Sequence, residues 1–198
     1  LLQSRQSGSG LEILVTPTYE GTRIYQSYIV ARQNSGIQTV EDLEGRTFCY
    51  PDRDSTSGYL LPRHFLRSKG LDPDRIFESS RFSGSHVTVM EDIVSGQCDA
   101  GAVFSGAWLA ARSLGVKSAQ IRLVSAAGDT TRDVVCASPK LPEGLQQKVR
   151  DALLAFEPSR ELDKAILSPI VPIDGFAEAR LEDLAPVEAA ARAEKLLR

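Results

Sequence analysis

Arg46-Thr47-Phe48-Cys49-Tyr50-Pro51-Asp52-Arg53-Asp54-Ser55-Thr56-Ser57-Gly58-Tyr59-Leu60-Leu61-Pro62 is the stretch on which the reading of the fold turns. Residues 46–50 form an apolar run of strand character that Pro51 breaks. A polar, turn-rich segment follows, and residues 59–69 read as a helix stopped by Gly70. A strand that delivers a polar loop into the start of a helix is the building block of α/β folds.

The alternation continues on both sides. Upstream, residues 11–15 read as a strand stopped at Pro17, and residues 25–31 alternate as a second strand. Residues 39–45 suit a short helical turn, capped by Thr39 and closed by Gly45. Downstream, Val87, Met90 and Val94 follow helical spacing, with Thr88 and Glu91 as a capping pair and Gly96 as the stop. Residues 99–104 read as a buried strand, 107–114 as a helix, and 121–125 and 133–137 as strands. Leu145, Val149 and Leu153 mark a helix opened by Pro142 and Glu143, and residues 181–198 suit a surface helix. This order predicts an α/β fold with a mainly parallel sheet, whose ligands bind at the carboxyl ends of strands. The loops after Tyr50, Phe104 and Ser125 are therefore the places to look.

Composition narrows the function classes. The chain has 198 residues, 42% hydrophobic and 25% charged, enough for a sizeable core without a disulfide or metal scaffold. Twenty-three Lys and Arg against 26 Asp and Glu leave a net charge of −3, which argues against a nucleic-acid footprint. No apolar run approaches the roughly 18 residues of a membrane-spanning helix. With two His and three separated Cys, no metal and no cofactor is expected. Cys49, Cys98 and Cys136 are each read as a small buried thiol, and cysteine usage leaves the compartment open. Residues 1–10 lack a signal-peptide pattern and read as a loop or fragment boundary.

Ser55, Thr56 and Ser57 concentrate the chemistry. Three hydroxyls lie where the unpaired amides of a helix start point outward, and Gly58 permits close backbone approach. Together they suit a tetrahedral oxyanion such as phosphate or phosphonate, although Ser55 or Thr56 could equally be a plain helix cap. Pro62 has no N–H for the Gly58 carbonyl, so an irregular first turn is expected. His86, in the turn before the Val87 helix, is either a surface residue or a donor to the same anion. Asp133 is either a solvated strand end or an acid for a cationic group of the ligand. A Ser57–His86 nucleophilic pair is conceivable, but no phosphate-binding loop, dinucleotide fingerprint or nucleophile elbow is present. No enzyme activity is expected.

The order of segments resembles the phosphonate-binding type of periplasmic ABC-transporter solute-binding component. The resemblance rests on Tyr25 to Arg32, Ser35-Gly36-Ile37 and Val40 to Phe48. It extends through Asp54 to Pro62, Gly84-Ser85-His86 and Gly96 to Val103. It implies a two-lobed type II periplasmic-binding-protein fold of α/β class with mixed, mainly parallel sheets, closing by a hinge around its ligand. Residues 1–41 and 129–198 would form the first lobe and 42–128 the second, the first lobe being incomplete because the family's opening βαβ stretch is missing upstream of Leu1. Ser55, Thr56 and Ser57 would hold the phosphonate oxygens with His86 beside them, Tyr25 would add a phenol, and Asp133 would face the ligand's far end. The family's aminoalkylphosphonate binders carry a further acid where this chain has Phe104-Ser105-Gly106-Ala107, so an amine-bearing ligand is disfavoured. The expected ligand is a phosphonate, phosphite or phosphate, and the expected partner is an ABC permease. Location would be periplasmic or extracytoplasmic, with any membrane anchor upstream of Leu1. Open strand edges of a partial lobe would permit self-association. The alternative is the same fold serving as the extracytoplasmic sensor of a membrane signalling protein.

Overall fold

The computed structural model describes residues 8–158 and 173–197, so most of the loop expected over residues 1–10 lies outside it. In chain order the regular elements are strands β1 (Glu12–Thr18), β2 (Ile24–Arg32) and β3 (Thr47–Tyr50), helix α1 (Leu61–Ser68), strand β4 (Ser79–Phe82), helix α2 (His86–Ser95), strand β5 (Ala100–Phe104) and helix α3 (Ser105–Ala110). Strands β6 (Ile121–Thr131) and β7 (Val135–Ala137), helix α4 (Glu143–Ala155), strand β8 (Gly175–Glu178) and helix α5 (Ala185–Ala193) complete them. Two compact units result: residues 1–25 with 131–198, and residues 26–130.

The second unit is built on a five-stranded sheet of order β4-β3-β5-β2-β6. Strand β3 runs parallel to β4 and β5, whereas β2 is antiparallel to β5 through Ser27–Phe104 to Ala31–Ala100. Phe48, Leu43, Ile29 and Leu66 are fully buried beneath it. Asp99 ties three strands: its Oδ2 accepts from the Thr47 N–H and hydroxyl at 3.1 and 2.9 Å, and its Oδ1 pairs with Arg32 at 3.3 Å. Residues 26–41, which the sequence reading placed in the first lobe, fall in this unit, where β2 pairs with β5 from Ser27 to Ala31.

The first unit carries a three-stranded sheet of order β7-β1-β8, antiparallel in both pairings. Strand β1 runs through Pro17, which the sequence reading took as its end, and Pro17 lies opposite Phe176.

Several local expectations change. Val40, not Thr39, precedes the short 3-10 turn Glu41–Leu43, and Asp42 Oδ2 accepts from the Gln38 and Thr39 amides at 2.9 Å each. Helix α2 begins at His86 and is capped by Ser85, whose hydroxyl accepts from the Thr88 amide at 3.0 Å; the Thr88–Glu91 pair is not the cap. Cys49 and Cys98 form a disulfide with a Cα–Cα distance of 5.9 Å, which overturns the expectation of a buried thiol at each, and Cys136 is free but only half-buried. The pairing arises because Cys98 leads into β5 beside Cys49 on β3, a proximity that 49 residues of separation conceal.

Candidate functional site

The polar loop after β3 enters its helix through a widened turn. Because Pro62 lacks an N–H, the Gly58 carbonyl has no donor four residues on, and the chain takes a π turn over Thr56–Leu60. The Leu60 N–H donates to the Ser55 carbonyl at 3.0 Å and the Leu61 N–H to that of Thr56. Ser55 is the cap, its hydroxyl accepting from the Gly58 amide at 2.9 Å. Gly58 sits against the Pro51 ring, where a Cβ would stand 2.1 Å from Cγ, so glycine is required at this contact.

This geometry leaves donors without protein acceptors. Among the described residues, the amides and hydroxyls of Thr56 and Ser57 make no hydrogen bond, although Ser57 is only 3% exposed. The Ser57 carbonyl, facing the other way, accepts from the buried Ser27 hydroxyl at 2.6 Å. Ser27 lies within an alternating strand pattern and nothing in the sequence marked it out.

His86 is brought to the same corner by the backbone. The Ser83 and Gly84 amides donate to the Tyr50 and Pro51 carbonyls at 2.8 Å each, which places the start of α2 against the end of β3. The His86 ring packs edge-on against Phe104 with centroids 4.8 Å apart, and its Nδ1 accepts from the Phe104 amide at 3.2 Å. Burial pushes its pKa down to about 4 against an opposing pull from Asp52. The ring is therefore neutral at pH 7, and with Nδ1 accepting, its proton sits on Nε2 as a donor. The second unit thus carries a cluster of neutral donors, suited to an oxyanion that brings its own charge.

Tyr25 and Asp133 belong to the first unit. The Arg132 guanidinium carbon lies 5.9 Å from the Tyr25 ring centre, so it is the neighbour of Asp133 in the chain that reaches Tyr25. The Asp133 carbonyl accepts from the Thr16 hydroxyl at 3.2 Å, while its side chain is exposed. Among the described residues there is no group of three or more His, Cys, Asp or Glu that could hold a metal.

Over residues 2–184 the sequence matches the family described as ABC transporter, phosphonate, periplasmic substrate-binding protein. The chain belongs to this family. Among curated relatives, the phosphate-import protein PhnD of Mycolicibacterium smegmatis is 36% identical over 87 residues, 40% of this chain and 27% of that protein. The tetrathionate sensor histidine kinase TtrS of Salmonella typhimurium is 40% identical over 63 residues, 32% of this chain and 10% of that protein. The chain therefore matches well under a third of the length of either relative. PhnD1 of Prochlorococcus marinus, solved in complex with methylphosphonate, shares the fold at a TM-score of 0.82 and 21% identity, covering 98% of this chain and 75% of that one. This member of the phosphonate-binding family thus has the type II periplasmic binding fold expected from its segment order.

Proposed function

We propose that this protein is the solute-binding component of an ABC importer and captures a phosphonate or related phosphorus oxyanion on Ser55, Thr56 and Ser57. The observation that carries this reading is the set of unpaired Thr56 and Ser57 amides and hydroxyls at the opening of the π turn. His86 adds its Nε2–H, and Tyr25 and Asp133 are proposed as further ligand contacts from the first unit. Family membership supports a permease partner and a periplasmic location. The Cys49–Cys98 disulfide supports that location too, since such bonds persist in oxidising compartments.

Binding proceeds without turnover in this reading. A neutral His86 with Nδ1 occupied and Nε2 protonated has no nitrogen free to take a proton from Ser57. Self-association is a further part of the proposal, supported by the β7 and β8 edges of the three-stranded sheet, and light scattering tests it. The partial likeness to a sensor kinase favours a second reading, in which the same site reports to a signalling module. A kinase or cyclase region in the full-length coding sequence would select that reading over import.

The deciding experiment is a thermal-shift and calorimetry screen against phosphate, phosphite, methylphosphonate and 2-aminoethylphosphonate. Ligand at about 100 times its dissociation constant should stabilise the fold by roughly 2.7 kcal/mol. The expected result is a shift with one of the first three that Thr56→Ala or Ser57→Ala abolishes. Ligand shifts that survive both substitutions would place the anion elsewhere.

A further inference from the structure

The widened turn leaves one carbonyl without a donor of its own, and strand β2 supplies one. In the π register each carbonyl accepts from the N–H five residues on: Ser55 from Leu60 at 3.0 Å, and Thr56 from Leu61. For Ser57 the fifth residue on is Pro62, which has no N–H to give. A buried carbonyl left without a donor is destabilising. Here the donor is the hydroxyl of Ser27, a fully buried residue of β2, at 2.6 Å. The N–H of the same peptide, that of Gly58, donates to the Ser55 hydroxyl at 2.9 Å. A peptide is one rigid plane, so anchoring its carbonyl and its N–H fixes its rotation. The carbonyls of Ser55 and Thr56 bond back into the turn, which directs the Thr56 and Ser57 amides of those peptides the opposite way. The Ser57–Gly58 plane completes this set, and it is the one held from outside the turn. Ser27 also lies opposite Phe104 in the β2–β5 register, and the Phe104 amide donates to His86 Nδ1 at 3.2 Å. One cross-strand pair thus carries both the hydroxyl turn and the imidazole.

We propose that Ser27 is a positioning residue of the oxyanion site: its hydroxyl replaces the N–H that Pro62 lacks and holds the Thr56 and Ser57 donors in their binding arrangement. The proposal rests on the reading of this turn as the phosphorus-oxyanion site and deepens it, naming a residue that acts through the turn. Without the hydroxyl, the Ser57–Gly58 plane is free to rotate, and apparent affinity falls with the fraction of molecules whose turn stays competent.

Calorimetry with methylphosphonate and with inorganic phosphate, and urea unfolding, test it on the full chain in wild type, Ser27→Ala, Ser27→Thr and Thr47→Val. Ser27→Ala should weaken the bound probe by about tenfold or more. Ser27→Thr keeps the hydroxyl and should stay within about threefold of wild type. Thr47→Val removes a 2.9 Å bond to Asp99 in the same sheet, so its urea midpoint should fall while its affinity stays within about threefold. In wild type, which needs no variant to fold, the bound probe should slow solvent exchange of the Ser27 hydroxyl proton more than that of Thr47, because coupling between bond and ligand is reciprocal. Equal affinity in Ser27→Ala, a loss shared by Ser27→Thr or Thr47→Val, or equal slowing of the two hydroxyls overturns the role of Ser27 while leaving the oxyanion reading intact. Wild type that binds neither probe overturns the oxyanion reading and this inference with it.

Discussion

His86 shows how one buried side chain turns a sequence feature into a measurable pH dependence. Its pKa falls from 6.5 to about 4 because burial disfavours the charged ring. Between those values the unfolded chain holds the extra proton, so stability is full above pH 6.5 and falls as the pH drops towards 4. The shift corresponds to about 3 kcal/mol. Urea unfolding at pH 7.5 and pH 4 should therefore show wild type losing about that much more than His86→Gln, whose amide retains an acceptor for the Phe104 N–H. Identical losses in the two proteins would mean that no neutral imidazole is buried there. The sequence marked His86 as a candidate by its place in a turn before a helix. It gave no sign of the Phe104 contact, because that bond joins residues on different elements.

The decisive element is the turn from Ser55 into α1. Its irregularity was legible from Pro62 alone, since the lack of an N–H four residues after Gly58 holds in any tertiary setting. Gly58→Ala places a methyl 2.1 and 2.6 Å from the Pro51 ring and 2.8 Å from the Ser55 hydroxyl. The proline ring cannot swing aside, so the expected loss is about 1–3 kcal/mol of stability. Methylphosphonate binding should fall with it, because the Ser55 cap must move; an unchanged urea midpoint would show that the turn is looser than described. Pro62→Ala separates geometry from stability. Restoring the N–H should let the π turn relax towards an α turn, lowering methylphosphonate affinity in calorimetry while the urea midpoint holds or rises. Undiminished affinity would show that the widened turn is not what presents the Thr56 and Ser57 amides. By contrast, the caps at Thr39 and Thr88 were misplaced by one to three residues. Cap choice depends on where the following helix is held, and packing decides that.

For the molecule as a whole, the Cys49–Cys98 bond is the covalent constraint within the second unit. Closing a loop of 49 residues should contribute about 4 kcal/mol by restricting the unfolded chain. Thermal unfolding with and without reductant, and of a Cys49→Ala/Cys98→Ala double variant, should show a common drop in Tm. No drop would mean that the two cysteines are unpaired in solution. The amino-acid sequence by itself determined the α/β class, the helix stops at Gly70 and Gly96, the irregular turn before Pro62 and the hydroxyl cluster at its mouth. Each of these follows from local backbone chemistry or from residue spacing along a single element, so it survives without knowledge of neighbours. Tertiary structure alone decided that β2 belongs with β5, that Cys49 meets Cys98, that Ser27 grips the Ser57 carbonyl and that Arg132 lies between two tyrosines. Those contacts join residues far apart in sequence, and they form only because burying the apolar faces of the strands brings their polar companions together.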